Sequence, residues 1–186
     1  VNQESATQIT DLGRSLDGVA SAMRLCLACG FCCDGTLHLH TALLPDETPT
    51  AVALGLAVTT ADGRAVFRQP CTQFRDGRCA IYDRRPQVCR HYACALLKKL
   101  LAGEVSLEQS LQIAGIARKQ LAVFRTRVPA AASFMEWLKA IEASADAEAA
   151  DPGLAQAVTH DTTLSDHTVA LIVYLTKYFG ENDAGA

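Results

Sequence analysis

The stretch Cys26-Leu-Ala-Cys29-Gly-Phe-Cys32-Cys33 puts four thiols within eight residues. Ordinary packing gives no reason to bring so many sulfurs together, so the run reads as a set of metal ligands around which the rest must fold. Two spacings interleave, Cys26-x2-Cys29-x2-Cys32 and the adjacent pair Cys32-Cys33. Gly30 lets the backbone turn sharply while several side chains point to one centre. A second group follows at Cys71, Cys79, Cys89 and Cys94, and the two groups account for all eight cysteines. Eight divides into two sets of four, the ligand number of a tetrahedral zinc site or an ordinary iron-sulfur cluster.

The downstream thiols stand in Pro70-Cys71, Cys79-Ala80-Ile81-Tyr82, Arg85-Pro86, Cys89-Arg90 and Cys94. With Cys26-x2-Cys29-x2-Cys32-Cys33 ahead of them, the chain from about Met23 to Leu97 resembles the YkgJ-type cysteine-cluster family. The resemblance implies a zinc- or iron-chelating domain, sometimes described as an iron-sulfur oxidoreductase. It names neither the metal nor a reaction, and it is silent on the second half of the chain.

Three ligands at successive x2 spacings, completed by a fourth from elsewhere, is how ferredoxin-type runs hold a cubane cluster. That spacing favours one or two iron-sulfur centres with a redox or electron-transfer role. Zinc is the alternative, because bridging thiolates accommodate Cys32-Cys33; the protein would then be a zinc-stapled interaction module, or a metal store or carrier. Neighbouring side chains diverge, so Cys26, Cys29 and Cys32 are expected to form one trio and Cys33 to join the downstream set. His91 can stand in for a thiolate, although eight cysteines already fill two sites. His38 and His40 read as solvent-facing residues of a short strand over 36–40.

Composition sets the limits. A chain of 186 residues that is 49% hydrophobic can bury its own core without metal. The net charge of -3 and pI near 5.9 argue against nucleic acid or an anionic membrane, leaving an unidentified protein or redox partner. Yet Arg64, Arg68, Arg75, Arg78, Arg84, Arg85 and Arg90 face only Asp76 and Asp83 in their segment. These arginines are either a solvated loop or a counter-charge to thiolates, with Arg90 the expected tuner of a centre. The longest apolar run, Val169 to Leu175, falls far short of the roughly 20 residues of a membrane span. No signal peptide is visible, although a start at Val1 leaves room for a removed leader. Clustered Cys-x2-Cys spacings favour metal over disulfides, and a cytoplasmic location is expected. No phosphate loop, dinucleotide fingerprint, nucleophile elbow or His-Glu-x-x-His is present, so any enzymatic role lacks visible machinery. A nucleophilic cysteine needs one activated thiol and a base rather than clusters. His160 and His167, flanked by Asp161 and Asp166, read as polar helix ends.

The pattern predicts a mainly α fold: a cysteine-rich metal-binding lobe over 1–103 with a short β-hairpin, packed on a helical lobe over 104–186. Ile9, Leu12, Leu16, Val19 and Met23 form a helical stripe that delivers Cys26. A hairpin is expected around Ala61-Asp62-Gly63 and a turn at Asp76-Gly77. Pro86 fits the first turn of a helix running to Leu101, on which Cys89 and Cys94 would lie roughly 140 degrees apart. Ser106-x-x-Gln109 and Ser133-x-x-Glu136 have the form of capping boxes, Pro129 separates their helices, and Asp151-Pro152 resembles a further helix start. Leu107, Leu111, Ala114, Leu121 and Phe124, with Phe134, Leu138 and Ile141, read as core faces, and Trp137 and Tyr174 as core aromatics. Ala143 to Ala150 reads as a linker. A last helix from about Leu164 to Phe179, apolar on most sides, is expected to be central.

Overall fold

The computed structural model describes residues 17–128, 133–139 and 162–180. The fold is mainly helical, with two small antiparallel sheets. Helix α1 occupies 17–29 and ends at Gly30. Its inward face is not the expected stripe. Val19 and Met23 are 65% and 38% exposed, whereas Ala22, Leu25, Cys26 and Cys29 pack inward. The burial of Leu25 and the thiols sets the rotation of the helix; Ile9, Leu12 and Leu16 lie outside the described residues.

Strands β1 (His40–Ala42), β2 (Val58–Ala61) and β3 (Arg64–Arg68) form a three-stranded sheet in the order β1-β3-β2, with the short α2 (Thr48–Ala53) inserted after β1. Ala61 pairs with Arg64, so Asp62-Gly63 is a two-residue turn. The strand expected over 36–40 begins only at His40, because Asp34 turns the chain first by accepting a hydrogen bond from the Thr36 amide at 2.9 Å. Strands β4 (Phe74–Arg75) and β5 (Arg78–Cys79) pair across Asp76-Gly77. Both turn residues have positive φ, 51° and 75°, as a type I′ hairpin requires.

The single helix expected from Pro86 to Leu101 is two helices, α3 (Gln87–His91) and α4 (Ala95–Leu101), because Tyr92 is extended and Cys94 caps the second piece with ψ of 165°. Helix α5 (Leu107–Arg127) opens on a full capping box between Ser106 and Gln109. The Ser133–Glu136 box is also formed, its two bonds measuring 2.9 and 3.2 Å; it opens α6, described over 134–139. Helix α7 spans Thr162–Phe179. It buries Leu171, Leu175 and Phe179 but leaves Val169 and Val173 57% and 60% exposed, so it lies at the surface rather than at the centre. Pro129, Ile141, the 143–150 stretch and Asp151-Pro152 lie outside the described residues.

Two hydrophobic clusters hold these elements. The larger takes Leu25 and Phe31, Leu96 and Leu97 of α4, Ala114, Ala117, Leu121 and Phe124 of α5, Phe134 and Trp137 of α6, and Leu171, Leu175 and Phe179 of α7. Phe124, Phe134 and Trp137 form an aromatic knot with ring centroids 4.8 to 6.3 Å apart. The smaller lies under the three-stranded sheet and takes Leu43, Ala51, Leu56, Phe67, Cys71 and Ile81. The larger cluster draws residues from both sides of residue 103.

Candidate metal centre

Helix periodicity places Cys26 and Cys29, three residues apart, on one face of α1. The chain leaves the helix at Gly30, whose φ is +75° and on which a Cβ would stand 2.8 Å from the Phe74 ring. Only glycine admits both the left-handed turn and this close approach. The turn closes through the Cys33 and Asp34 amides, which donate to the Gly30 carbonyl at 2.8 and 3.1 Å. Cys33 is thereby carried to the downstream thiols: the Cys71 amide donates to the Cys33 carbonyl at 2.7 Å. Cys79 is the strand partner of Phe74 in the β4-β5 hairpin. Cys89 lies on α3, and Cys94 caps α4.

The break between α3 and α4 separates the last two cysteines. Cys26, Cys29 and Cys94 pack against the larger cluster, while Cys33, Cys79 and Cys89 pack with buried Cys71 against the smaller. The electrostatics follow the same division except at the adjacent pair, where Cys32 feels Cys89 and Cys33 feels Cys32. Burial raises the Cys26 pKa, and the Cys94 thiolate raises it further. Burial also pushes the Cys29 thiol well up, with Cys94 and Cys26 adding to the rise. Cys32 is raised by burial and then by Cys94, Cys29 and Cys26, but it also feels Cys89, so it stands where the two groups meet. In the other group the Cys33 thiol donates to the Cys79 sulfur, which holds Cys33 up and Cys79 down. Burial, then Cys71 and Cys79, push Cys89 up to about 12. All eight are free thiols.

Backbone amides oppose part of this cost. Those of Phe31, Ile81, and Leu96 with Leu97 act on Cys29, Cys79 and Cys94 respectively, and those of Gln73 and Phe74 on Cys71. Donors aimed at sulfur are the environment a thiolate needs when it is buried. Among the described residues, no three Cys, His, Asp or Glu side chains converge as a ready-made ion site. The thiols are neighbours rather than a closed cage. Their chemistry nonetheless fits a thiophilic metal, because Cys26, Cys29, Cys32, Cys33, Cys71 and Cys89 are raised by burial and by neighbouring thiolates, and that repulsion is lost when a cation takes up the charge.

Arg85, not Arg90, is the cation that acts on Cys26, Cys79 and Cys89, while Lys98 acts on Cys94. Arg85 lowers its three thiols against their burial, and its guanidinium carbon lies 3.7 Å from the centroid of the Tyr82 ring. Tyr82 in turn donates to Cys26. Arg90 is exposed and its Nε donates to the Arg85 carbonyl at 2.8 Å, steadying the loop. Glu47 is a further residue the sequence did not signal. Its carboxylate accepts from the Gln87 and Val88 amides and so caps α3, the helix carrying Cys89, from 40 residues away. Asp34 is more remote still, 91 residues from Arg125, which it pairs with at 2.9 Å, tying the cysteine loop to α5. Of the histidines, His91 is exposed, and His38 is half-buried with its ring edge-on to Tyr92 at 4.8 Å rather than facing solvent.

Residues 25–113 match the family model CxxCxxCC, described as "Putative zinc- or iron-chelating domain". No curated protein and no solved structure matches the chain. The matched segment contains every cysteine, and over it the chain is similar to this family of zinc- or iron-chelating domains.

Proposed function

We propose that the chain is a metal-binding protein with two four-thiolate centres, one held by Cys26, Cys29, Cys32 and Cys94 and the other by Cys33, Cys71, Cys79 and Cys89. We further propose that they are iron-sulfur centres serving redox or electron transfer. The observation that carries this reading is the division of the thiols between two hydrophobic clusters, Cys26, Cys29 and Cys94 on one and Cys33, Cys71, Cys79 and Cys89 on the other. Iron held by such a set supplies one-electron chemistry whose potential follows sulfur hydrogen bonding, net charge and burial. The chain's own residues supply all three: amides aimed at Cys29, Cys71, Cys79 and Cys94, the Arg85 guanidinium, and partial to deep burial of every thiol. A reducing, cytoplasmic setting suits eight free thiols.

Zinc is the second reading, and a specific observation favours it. Cys32 feels Cys89 as well as its own trio, which suits a thiolate bridging two ions. The chain would then be a metal-stapled interaction module or a metal carrier. Anaerobic preparation followed by metal analysis and a visible spectrum separates the two. Iron with a broad absorption that bleaches on reduction supports the first; a colourless zinc protein supports the second. Folded protein that takes up neither metal would sink both.

A further inference from the structure

The β4-β5 hairpin carries a charge arrangement that the fold does not explain. Arg75 and Arg78 are directly opposite in register, and like charges so placed destabilise a strand pair. Both are exposed. Among the described residues the ion pairs are Arg68 with Glu136 and Arg125 with Asp34, so neither hairpin arginine has a carboxylate partner there. A third guanidinium joins them: Arg118 Nη2 of α5 lies 3.6 Å from where a Cβ on Gly77 would stand. The other end of the Arg118 fork donates to the Ala28 carbonyl, within the run of thiols. Phe74, in the same hairpin, packs on Gly30 between Cys29 and Cys32. Three cations are thus gathered around a short tip whose turn adds one exposed carboxylate, Asp76, and which sits over the cysteine loop in a chain whose net charge is -3.

We propose that the hairpin tip, Arg75 and Arg78 extended by Arg118, is the docking face for an acidic surface of a second protein, which it seats against the Cys26–Cys33 loop. Guanidinium forks match carboxylates in two-point contacts. The overall negative charge of the chain opposes a long phosphate backbone, so a local acidic protein surface is the better complement. What passes between the two, metal or electrons, rests on the metal-binding reading; the contact itself does not.

The test uses the intact, metal-loaded chain and a fluorescein-labelled Glu/Asp-rich peptide as probe, followed by anisotropy at low salt. The peptide is expected to bind, to weaken as salt is added, and to lose about tenfold or more in affinity in Arg75→Glu/Arg78→Glu. The control Arg24→Glu/Arg64→Glu makes the same change in net charge at exposed positions elsewhere and is expected to leave affinity within about twofold. Equal loss in both double variants would assign the effect to net charge and overturn the proposal. So would no binding by the wild type, or tighter binding of single-stranded DNA of equal charge. Metal content, measured in the same samples, is expected not to change; a wild type that takes up no metal would refute the metal reading while the anisotropy still decides the docking face. Should the Glu variant unfold, Arg75→Gln/Arg78→Gln gives the same comparison with a smaller expected loss.

Discussion

Arg85 shows how far the state of the thiols depends on residues that are not cysteines. The thiols it faces are raised by burial, apart from Cys79, which Cys33 holds down. A thiol whose pKa is raised stays protonated at neutral pH, and metal uptake must expel its proton, so affinity rises with pH. Arg85 lowers Cys26, Cys79 and Cys89; Arg85→Ala is therefore expected to move the uptake curve to higher pH and weaken affinity about tenfold to a hundredfold at pH 7. Arg90→Ala should move it little. Competition with a chromophoric chelator across the pH range decides, and superimposable curves for Arg85→Ala and wild type would remove Arg85 from the account. Nothing in the sequence separates these two arginines. Arg90 adjoins Cys89 in the chain, but side-chain direction depends on where α3 starts, and that depends on Glu47 reaching its first amides.

Among the elements, those that rest on local chemistry were the most legible. Ser106 with Gln109 and Ser133 with Glu136 form the capping boxes their spacing predicts, and both Asp-Gly turns carry hairpins, because caps and two-residue turns are fixed within four residues. The break at Tyr92–Cys94 was not legible. Neither proline nor glycine marks it, and the ring that packs on Tyr92 there, His38, is remote in sequence. The orientation of α7 was hidden for another reason: Val169 to Leu175 is apolar throughout, so it has no readable period. The structure supplies one. Leu171→Ala, at a fully buried position, is expected to cost about 2–5 kcal/mol, whereas Val169→Ala should cost no more than about 0.5 kcal/mol. Urea denaturation of the two variants checks this, and comparable costs would mean that α7 is not seated as described.

At the scale of the molecule, the two hydrophobic clusters would make the two proposed centres unequal. We propose that residues 1–103 supply every ligand and 104–186 the scaffold, but the scaffold supports one centre more than the other. Ala114, Ala117, Leu121 and Phe124 share a cluster with Leu25, Phe31 and Leu96, against which Cys26, Cys29 and Cys94 pack; Cys33, Cys71, Cys79 and Cys89 pack elsewhere. A chain ending at Gly103 is thus expected to keep metal on Cys33, Cys71, Cys79 and Cys89 and lose it from Cys26, Cys29, Cys32 and Cys94. Equal loss from both, in soluble truncated protein, would contradict that dependence. The central claim, two centres rather than one, is tested most directly by native mass spectrometry of the anaerobic wild type, Cys29→Ala, Cys33→Ala and the double variant, with circular dichroism to exclude unfolding. The account predicts two centres in the wild type, one in each single variant and none in the double; a single variant that stays folded and carries no metal, or a double variant that keeps its full load, would contradict it.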